Sequence, residues 1–214
     1  KELFTSVKNM TIVTPSKWLA RLVKESFLSE YNVEVINNGI DLEIFKPTES
    51  NFREKHNLKD KFIILGVANI WDRRKGLNYF VDLSKELDES YKIVIVGVTE
   101  EQKTKLPNNI LSITRTNNVK ELVEIYSSAD VFLNPTLEDN FPTTNIEALA
   151  CGIPVITFNS GGSSECINNL YGKIIDNKSI KSILDCIQSF DKKAYSNCRI
   201  RAEKKYDKHS KYIE

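Results

Sequence analysis

Residues 138–156 read EDNFPTTNIEALACGIPVI. Glu138, Asp139 and Glu147 bracket a Phe-Pro-Thr-Thr turn, and a run of small and apolar residues then leads to Gly-Ile-Pro-Val. Pro142 sets the turn, Thr143 and Thr144 open a helix, and PVITF starts a strand bounded by the Gly-x-Pro break. A helix that starts at such a turn points its free N–H groups out of the sheet edge, where they attract an anion such as a diphosphate. Thr144-Asn145-Ile146-Glu147 also fits a capping box, in which Glu147 would do no more than satisfy a backbone N–H.

Outward from this block the pattern is regular. KFIILGVAN, YKIVIVGV, NILSITRT, DVFLNPT and PVITF are short apolar segments. Between them lie helical patterns over residues 75–88, a short polar stretch, and VKELVEIYSSA. Strands apolar on both faces and alternating with helices predict an α/β fold, a Rossmann-like doubly wound parallel sheet covered on both sides. In the N-terminal part, TIVTPS predicts a strand and Ser16 a cap for a helix carrying Trp18, Leu19, Leu22, Val23 and Phe27. VEVINNGIDLEIFKP predicts a second strand, a sharp turn at Asn38-Gly39 and a linker ending at Pro47. The expected division is 1–47, 48–190 and a basic helix over 191–214. Residues 191–211 hold eight Lys or Arg against three acids, a solvated helix face or an interface with lipid headgroups or another domain.

Composition narrows the class. Of the 214 residues 41% are hydrophobic and 28% charged, and the net charge is +1, which gives no reason to expect a nucleic-acid partner. No apolar run approaches bilayer length, since FIILGVANIW is interrupted by Gly66 and Asn69. The chain opens on Lys1 without an initiator Met or a signal-peptide pattern, so a piece of something longer is expected. Cys151, Cys166, Cys186 and Cys198 have no metal-site spacing and are expected to be reduced, mostly buried thiols. His56 and His209 are expected on the surface.

Neither GxGxxG nor a P-loop is present. WDRRKG at 71–76 places Arg73, Arg74 and Lys75 after the first strand of the main sheet, on the same edge as the 138–156 turn. Guanidinium and ammonium groups there suit a leaving diphosphate.

VANIWDRRKG, SSADVFLNPTLEDNFPTTNIEALACGIPVITFNSGGSSE and the leading TPSKWLARLV…VEVINNGIDLEIFKP occur in one order, and together they resemble the C-terminal half of glycosyltransferase family 4 enzymes of GT-B fold. The resemblance implies a retaining, metal-independent transferase that needs no cofactor beyond a nucleotide-sugar donor, UDP-sugar before GDP-sugar. It implies a glycan or lipid-linked acceptor, a role in bacterial surface polysaccharide synthesis, and a cytoplasmic place, peripheral at the inner face of the membrane. It implies catalytic roles for Arg74, Lys75, Asp139 and Glu147. Diphosphate and nucleotide contacts would fall to Arg73, Arg74, Lys75, Thr114, Arg115, Phe141, Thr143, Thr144 and Glu147, with Glu147 on the ribose. Glu138, Asp139, Asn140, Phe141 and Pro142 would meet the donor sugar, and Gly161, Gly162 and Glu165 would line its side of the cleft. Asn69 stands where the family carries an arginine, so Arg74 or Arg73 would supply the fork. The acceptor-binding N-terminal domain would be missing except for its last strand and helix, leaving weak donor binding and little catalysis. The rival readings are a nucleotide-binding α/β module without transferase activity and a GT-B sugar-nucleotide epimerase.

Overall fold

A computed structural model describes residues 2–195 and 197–211. In chain order the elements are α1 (Glu2–Thr5), β1 (Thr11–Thr14), α2 (Lys17–Lys24), β2 (Asn32–Val35), α3 (Phe52–Lys55), β3 (Phe62–Val67), α4 (Leu77–Glu86), β4 (Tyr91–Val96), α5 (Glu100–Lys105), β5 (Ile110–Ile113), α6 (Val119–Ser128), β6 (Val131–Asn134), α7 (Thr143–Ala150), β7 (Val155–Phe158), β8 (Gly172–Ile175), α8 (Ile180–Gln188), α9 (Cys198–Lys205) and α10 (Lys208–Lys211). The predicted parallel sheet is present as six strands in the order β5-β4-β3-β6-β7-β8. Every pairing in it is parallel.

The strands are buried on both faces, and the period of two divides their side chains between two cores. Ile63, Leu65, Val94, Val96, Phe132 and Val155 pack with residues of α6, α7 and α9. Ile64, Ile93, Ile95, Val131, Leu133 and Ile156 pack with Phe80 and Leu83 of α4 and Ile183 and Ile187 of α8. The chain leaves β3 toward β4 and β5 on one side and returns through β6, β7 and β8 on the other. The carboxyl ends of β3 and β6 therefore flank a topological switch point, the usual ligand crevice of such sheets.

The strand β8 and the short helix α3 are additions to the expected pattern. GKII is four residues long and follows an irregular stretch, so it carries little periodic signal. The polar helix α5 is closed by a capping box between Thr99 and Gln102.

Strands β1 and β2 form a separate parallel pair. Ser16 caps α2 as expected, accepting from Leu19 N at 3.1 Å. The helix ends at Lys24, so Phe27 lies beyond it, 46% exposed. Glu165, expected to line the sugar side of the cleft, is instead spent on this helix. Its two carboxylate oxygens accept from Lys17 N and Trp18 N at 2.9 and 2.8 Å, compensating free N–H groups and dipole together.

The basic tail is not one solvated helix. After a short 3-10 turn at Lys192–Tyr195 it forms α9 and α10, and Tyr195, Cys198, Ala202 and Tyr206 are buried in the core. Several of its cations are used internally. Arg199 donates to the carbonyls of Leu42, Phe45 and Ala150, Lys192 pairs with Asp130, and Lys208 with Asp41. The guanidinium of Arg201 lies over the rings of Tyr171 and Tyr206. Backbone bonds between Ile40 and the Tyr206 and Lys208 peptides tie the tail to the linker. Residues 196 and 212–214 of the predicted helix lie outside the described residues.

The four cysteines are unpaired, and all but Cys186 are buried. His209 is exposed, but His56 packs its ring against Phe52 at 4.5 Å and is half-buried. Among the described residues no helix is long and apolar enough to cross a membrane.

Candidate active site

The loop after β3 folds back on itself because Asp72 accepts from Lys75 N at 2.9 Å, capping a 3-10 turn over Arg73–Lys75. Gly76 ends the turn at φ 77°. The carbonyl of Arg74 then accepts from Leu137 N at 2.8 Å, so the loops after β3 and β6 are bound to each other. Across this junction Lys75 Nζ donates to Asp139 Oδ2 at 2.5 Å, with the two side chains 24% and 14% exposed.

Asp139 also shapes the turn below it. Its Oδ1 accepts from Phe141 N at 3.2 Å and its carbonyl from Gly162 N at 2.8 Å. Gly161 makes that approach possible. It sits at φ 56°, and a Cβ there would stand 2.2 Å from the Asp139 carbonyl oxygen. Phe141 points its ring into the core, against Tyr206 at 5.9 Å, while Asn38 donates to its carbonyl.

Helix α7 starts at Thr143 with Pro142 as N-cap and no side-chain cap. Among the described residues the N–H groups of Thr143 and Thr144 have no protein acceptor. The capping box weighed from the sequence does not form: Glu147 is the fifth helical residue, too far along to reach the N-cap peptide. Its Oε2 instead accepts from Tyr126 Oη at 3.0 Å. Burial pushes the Glu147 carboxyl above its usual range, against hydrogen bonds from Tyr126 and Thr143 that favour the ionised form.

A buried polar network holds α7 on the sheet. Asn134 donates to Asn145 Oδ1 at 2.8 Å, Asn145 donates to Ser163 O at 3.1 Å, and Thr157 and Ser163 share a hydroxyl bond of 2.7 Å. Asn145→Leu strands Asn134 Nδ2 and the Ser163 carbonyl, and should lower the urea midpoint by the equivalent of about 2–4 kcal/mol with unchanged slope. A variant that unfolds at the wild-type midpoint would show that α7 is held by apolar packing alone.

Two adjoining hollows open at this edge. One, about 420 Å³, is lined by Asn69, Ile70, Arg74, Lys75, Asp139 and the 141–144 turn. The other, about 550 Å³, is lined by Ala68, Gly97, Thr114, Arg115, Thr116, Leu122 and Glu147, with Asn69, Thr143 and Thr144 shared between them. The start of α7 thus sits in the middle, with Asp139 at one end and Glu147 at the other. Another hollow of about 250 Å³ lies at the opposite edge of the sheet, between Lys61, Leu87, Tyr91 and Asn109.

Lys75, Asp139, Phe141, Pro142, Thr143, Thr144, Glu147, Thr114 and Arg115 all come to the double cleft, and Arg74 comes to its rim, 54% exposed and 3.8 Å from Asp72. Six expected residues do not: Gly161, Gly162 and Glu165 of the sugar-side loop line neither hollow, and neither do Arg73, Glu138 and Asn140. Arg73 and Asn140 are exposed. Glu138 turns its side chain to solvent, while its carbonyl accepts from Thr136 at 3.1 Å. The alternation of the chain at this turn decides between the adjacent acids: Asp139 faces the cleft and Glu138 faces away. The sequence reading missed Tyr126, Asn134 and Asn145. The two asparagines carry a signal, as polar residues at apolar positions of a strand and a helix. Tyr126, spaced from Val123 and Leu122 as any core residue, carries none.

An open parallel sheet with a two-chambered cleft at its switch point, where Arg74, Lys75 and Arg115 face Asp139 and Glu147, is the layout of an α/β domain of GT-B type. The family model described as glycosyl transferases group 1 matches residues 48–206, and the chain belongs to that family. Among curated relatives it is 26% identical over 184 residues to the UDP-Gal:alpha-D-GlcNAc-diphosphoundecaprenol alpha-1,3-galactosyltransferase of Escherichia coli, covering 77% of this chain and 46% of that one. The chain thus spans about half the length of the curated relatives it matches. Among solved structures, sucrose-phosphate synthase from Thermosynechococcus elongatus superposes with a TM-score of 0.83 at 21% identity, covering 95% of this chain and 56% of that one. The Anabaena protein HepE, in complex with UDP and glucose, does so with a TM-score of 0.79 at 17% identity, covering 95% and 61%.

Proposed function

We propose that this chain is the donor-binding half of a retaining, metal-independent glycosyltransferase. It would take a sugar from a nucleoside diphosphate sugar, a UDP-sugar before a GDP-sugar, and the whole protein would pass it to a glycan or lipid-linked acceptor in bacterial surface polysaccharide synthesis. The observation that carries this reading is the order of groups along the cleft: Glu147, the uncapped start of α7, Lys75, then Asp139. A diphosphate at the helix start meets free N–H groups and an ammonium, leaving a carboxylate on each side to accept from sugar hydroxyls, ribose at Glu147 and donor hexose at Asp139. The base would lie by Thr114–Thr116.

As the glycosidic bond to the donor breaks, negative charge grows on the leaving diphosphate. Lys75, the rim guanidinium of Arg74 and the α7 dipole stand where that charge develops, so the chain's own cations can stabilise it. The E. coli relative's name specifies a UDP-sugar donor and a diphosphoundecaprenol-linked acceptor, and HepE was solved with UDP, which supports the choice of base and acceptor class. Titration calorimetry of this chain with UDP, GDP and their sugar conjugates, without divalent metal, tests the reading. One nucleotide should bind, and Glu147→Ala should weaken it ~100-fold by removing both acceptors for the ribose diol. Equal affinity in that variant would remove the ribose assignment.

A further inference from the structure

Among the described residues Tyr126 and Tyr206 are the largest side chains fully out of solvent. The Tyr126 ring packs edge-on to Phe45 at 6.4 Å and tilted on Phe132 at 5.6 Å, so the hydroxyl has one fixed direction. A buried phenol must find an acceptor, and here the acceptor is the Glu147 carboxylate, 3.0 Å away. That carboxylate lines the cleft, while the phenol that touches it comes from beneath, through the core.

The remaining polar surroundings of Glu147 are few. Thr143 offers its hydroxyl from the preceding turn of α7. Cys151, at the end of α7, is a buried thiol, pushed up to about 12 and therefore neutral. Arg199 of α9 is the cation that acts on Cys151, and it spends its N–H groups on Glu203 and on the carbonyls of Leu42, Phe45 and Ala150. Arg115 stands across the cleft, exposed. Tyr126 is thus the donor that reaches Glu147 from the protein interior.

We propose that Tyr126 is a positioning residue for nucleotide recognition: its hydroxyl holds the Glu147 carboxylate ionised and aimed into the cleft, and so sets the preference for ribose over 2′-deoxyribose. The assignment rests on the donor-site reading above. A carboxylate offers acceptors to two vicinal hydroxyls at once. Protonation turns one oxygen into a donor, and a rotated carboxylate meets only one hydroxyl. Discrimination against the 2′-deoxy nucleotide comes from leaving an acceptor unpaired in a place water reaches poorly, and it therefore requires the carboxylate to be held. Burial works against the ionised form of Glu147, and the Tyr126 hydrogen bond works for it.

Tyr126→Phe removes one oxygen and keeps the ring. Calorimetry of wild type and variant with UDP and 2′-deoxy-UDP, between about pH 5 and pH 8.5, reads three quantities. UDP should bind the variant ~10-fold more weakly at the alkaline end. The ratio of 2′-deoxy-UDP to UDP dissociation constants should shrink toward one. On acidification, binding to the variant should fall away at a higher pH than in wild type, because loss of a bond to the ionised form raises the Glu147 pKa further. A carboxyl-carbon NMR titration of the unliganded proteins reads that last shift directly and confirms that the variant is folded. Weaker binding with an unchanged ratio and pH profile would make Tyr126 a structural residue only and overturn the assignment. So would a variant indistinguishable from wild type. Failure of the wild-type chain to bind UDP at millimolar concentration would instead overturn the donor reading, and this assignment with it.

Discussion

On the proposed donor reading, Lys75→Met should weaken UDP binding ~30–300-fold, or about 2–3.5 kcal/mol, and sugar transfer by the full-length protein should fall by at least as much. Two losses combine. The diphosphate loses its nearest ammonium, and Asp139, at present paired with Lys75 at 2.5 Å and mostly shielded, is left as an uncompensated negative charge beside it. Asp139→Asn should act in the opposite sense on the nucleotide alone. With the ion pair gone, Lys75 is free to meet the diphosphate, so UDP binds as well as or better than in wild type, while the added affinity of a UDP-sugar over UDP is lost. Isothermal titration of both variants with UDP and UDP-glucose separates these effects. Parallel losses in the two variants would mean that the pair serves only to hold the loops together.

Gly97→Ala is expected to cost about 3–5 kcal/mol of stability, lowering Tm by about 10 °C, and to abolish nucleotide binding in whatever remains folded. Gly97 directly follows β4 at φ 93°, and a Cβ there would stand 1.7 Å from the Ala68 carbonyl oxygen. The contact is with backbone, so no rotamer change relieves it, and the left-handed conformation adds its own penalty. Its N–H also bonds Ile113 O at 2.8 Å, which holds β4 and β5 together where Ala68 and Gly97 line the wider hollow. Scanning calorimetry with a UDP titration checks this. A variant with wild-type Tm and affinity would show that the loop after β3 gives way at little cost.

The doubly wound sheet was legible because burial on both faces forces near-continuous apolar runs, and the helices between them carry their own period. β3, β4, β6 and β7 could be read directly. The short β8 could not, since four residues next to irregular chain leave no period to detect. The cleft was partly legible. WDRRKG and the 138–156 turn both follow strands of one parallel sheet, which puts them at one edge. Their chemistry, cations facing a helix start flanked by acids, was visible from residue type alone.

Three matters lay beyond the sequence. Which of two adjacent acids faces the cleft depends on backbone turning at Asp139, which Gly161 and Gly162 shape from 22 and 23 residues away along the chain. Whether Glu147 caps its own helix or lines the cleft depends on Tyr126, which approaches from another helix. Whether the basic tail is a solvated face depends on the carbonyls and carboxylates it meets, which belong to the linker and to α7. The sequence by itself determined the layers of the fold and the kind of chemistry at one edge, because apolar periodicity and residue charge are local properties. The tertiary structure alone decided which side chains enter the cleft and which are spent on packing, because those choices are made by contacts between segments far apart in the chain.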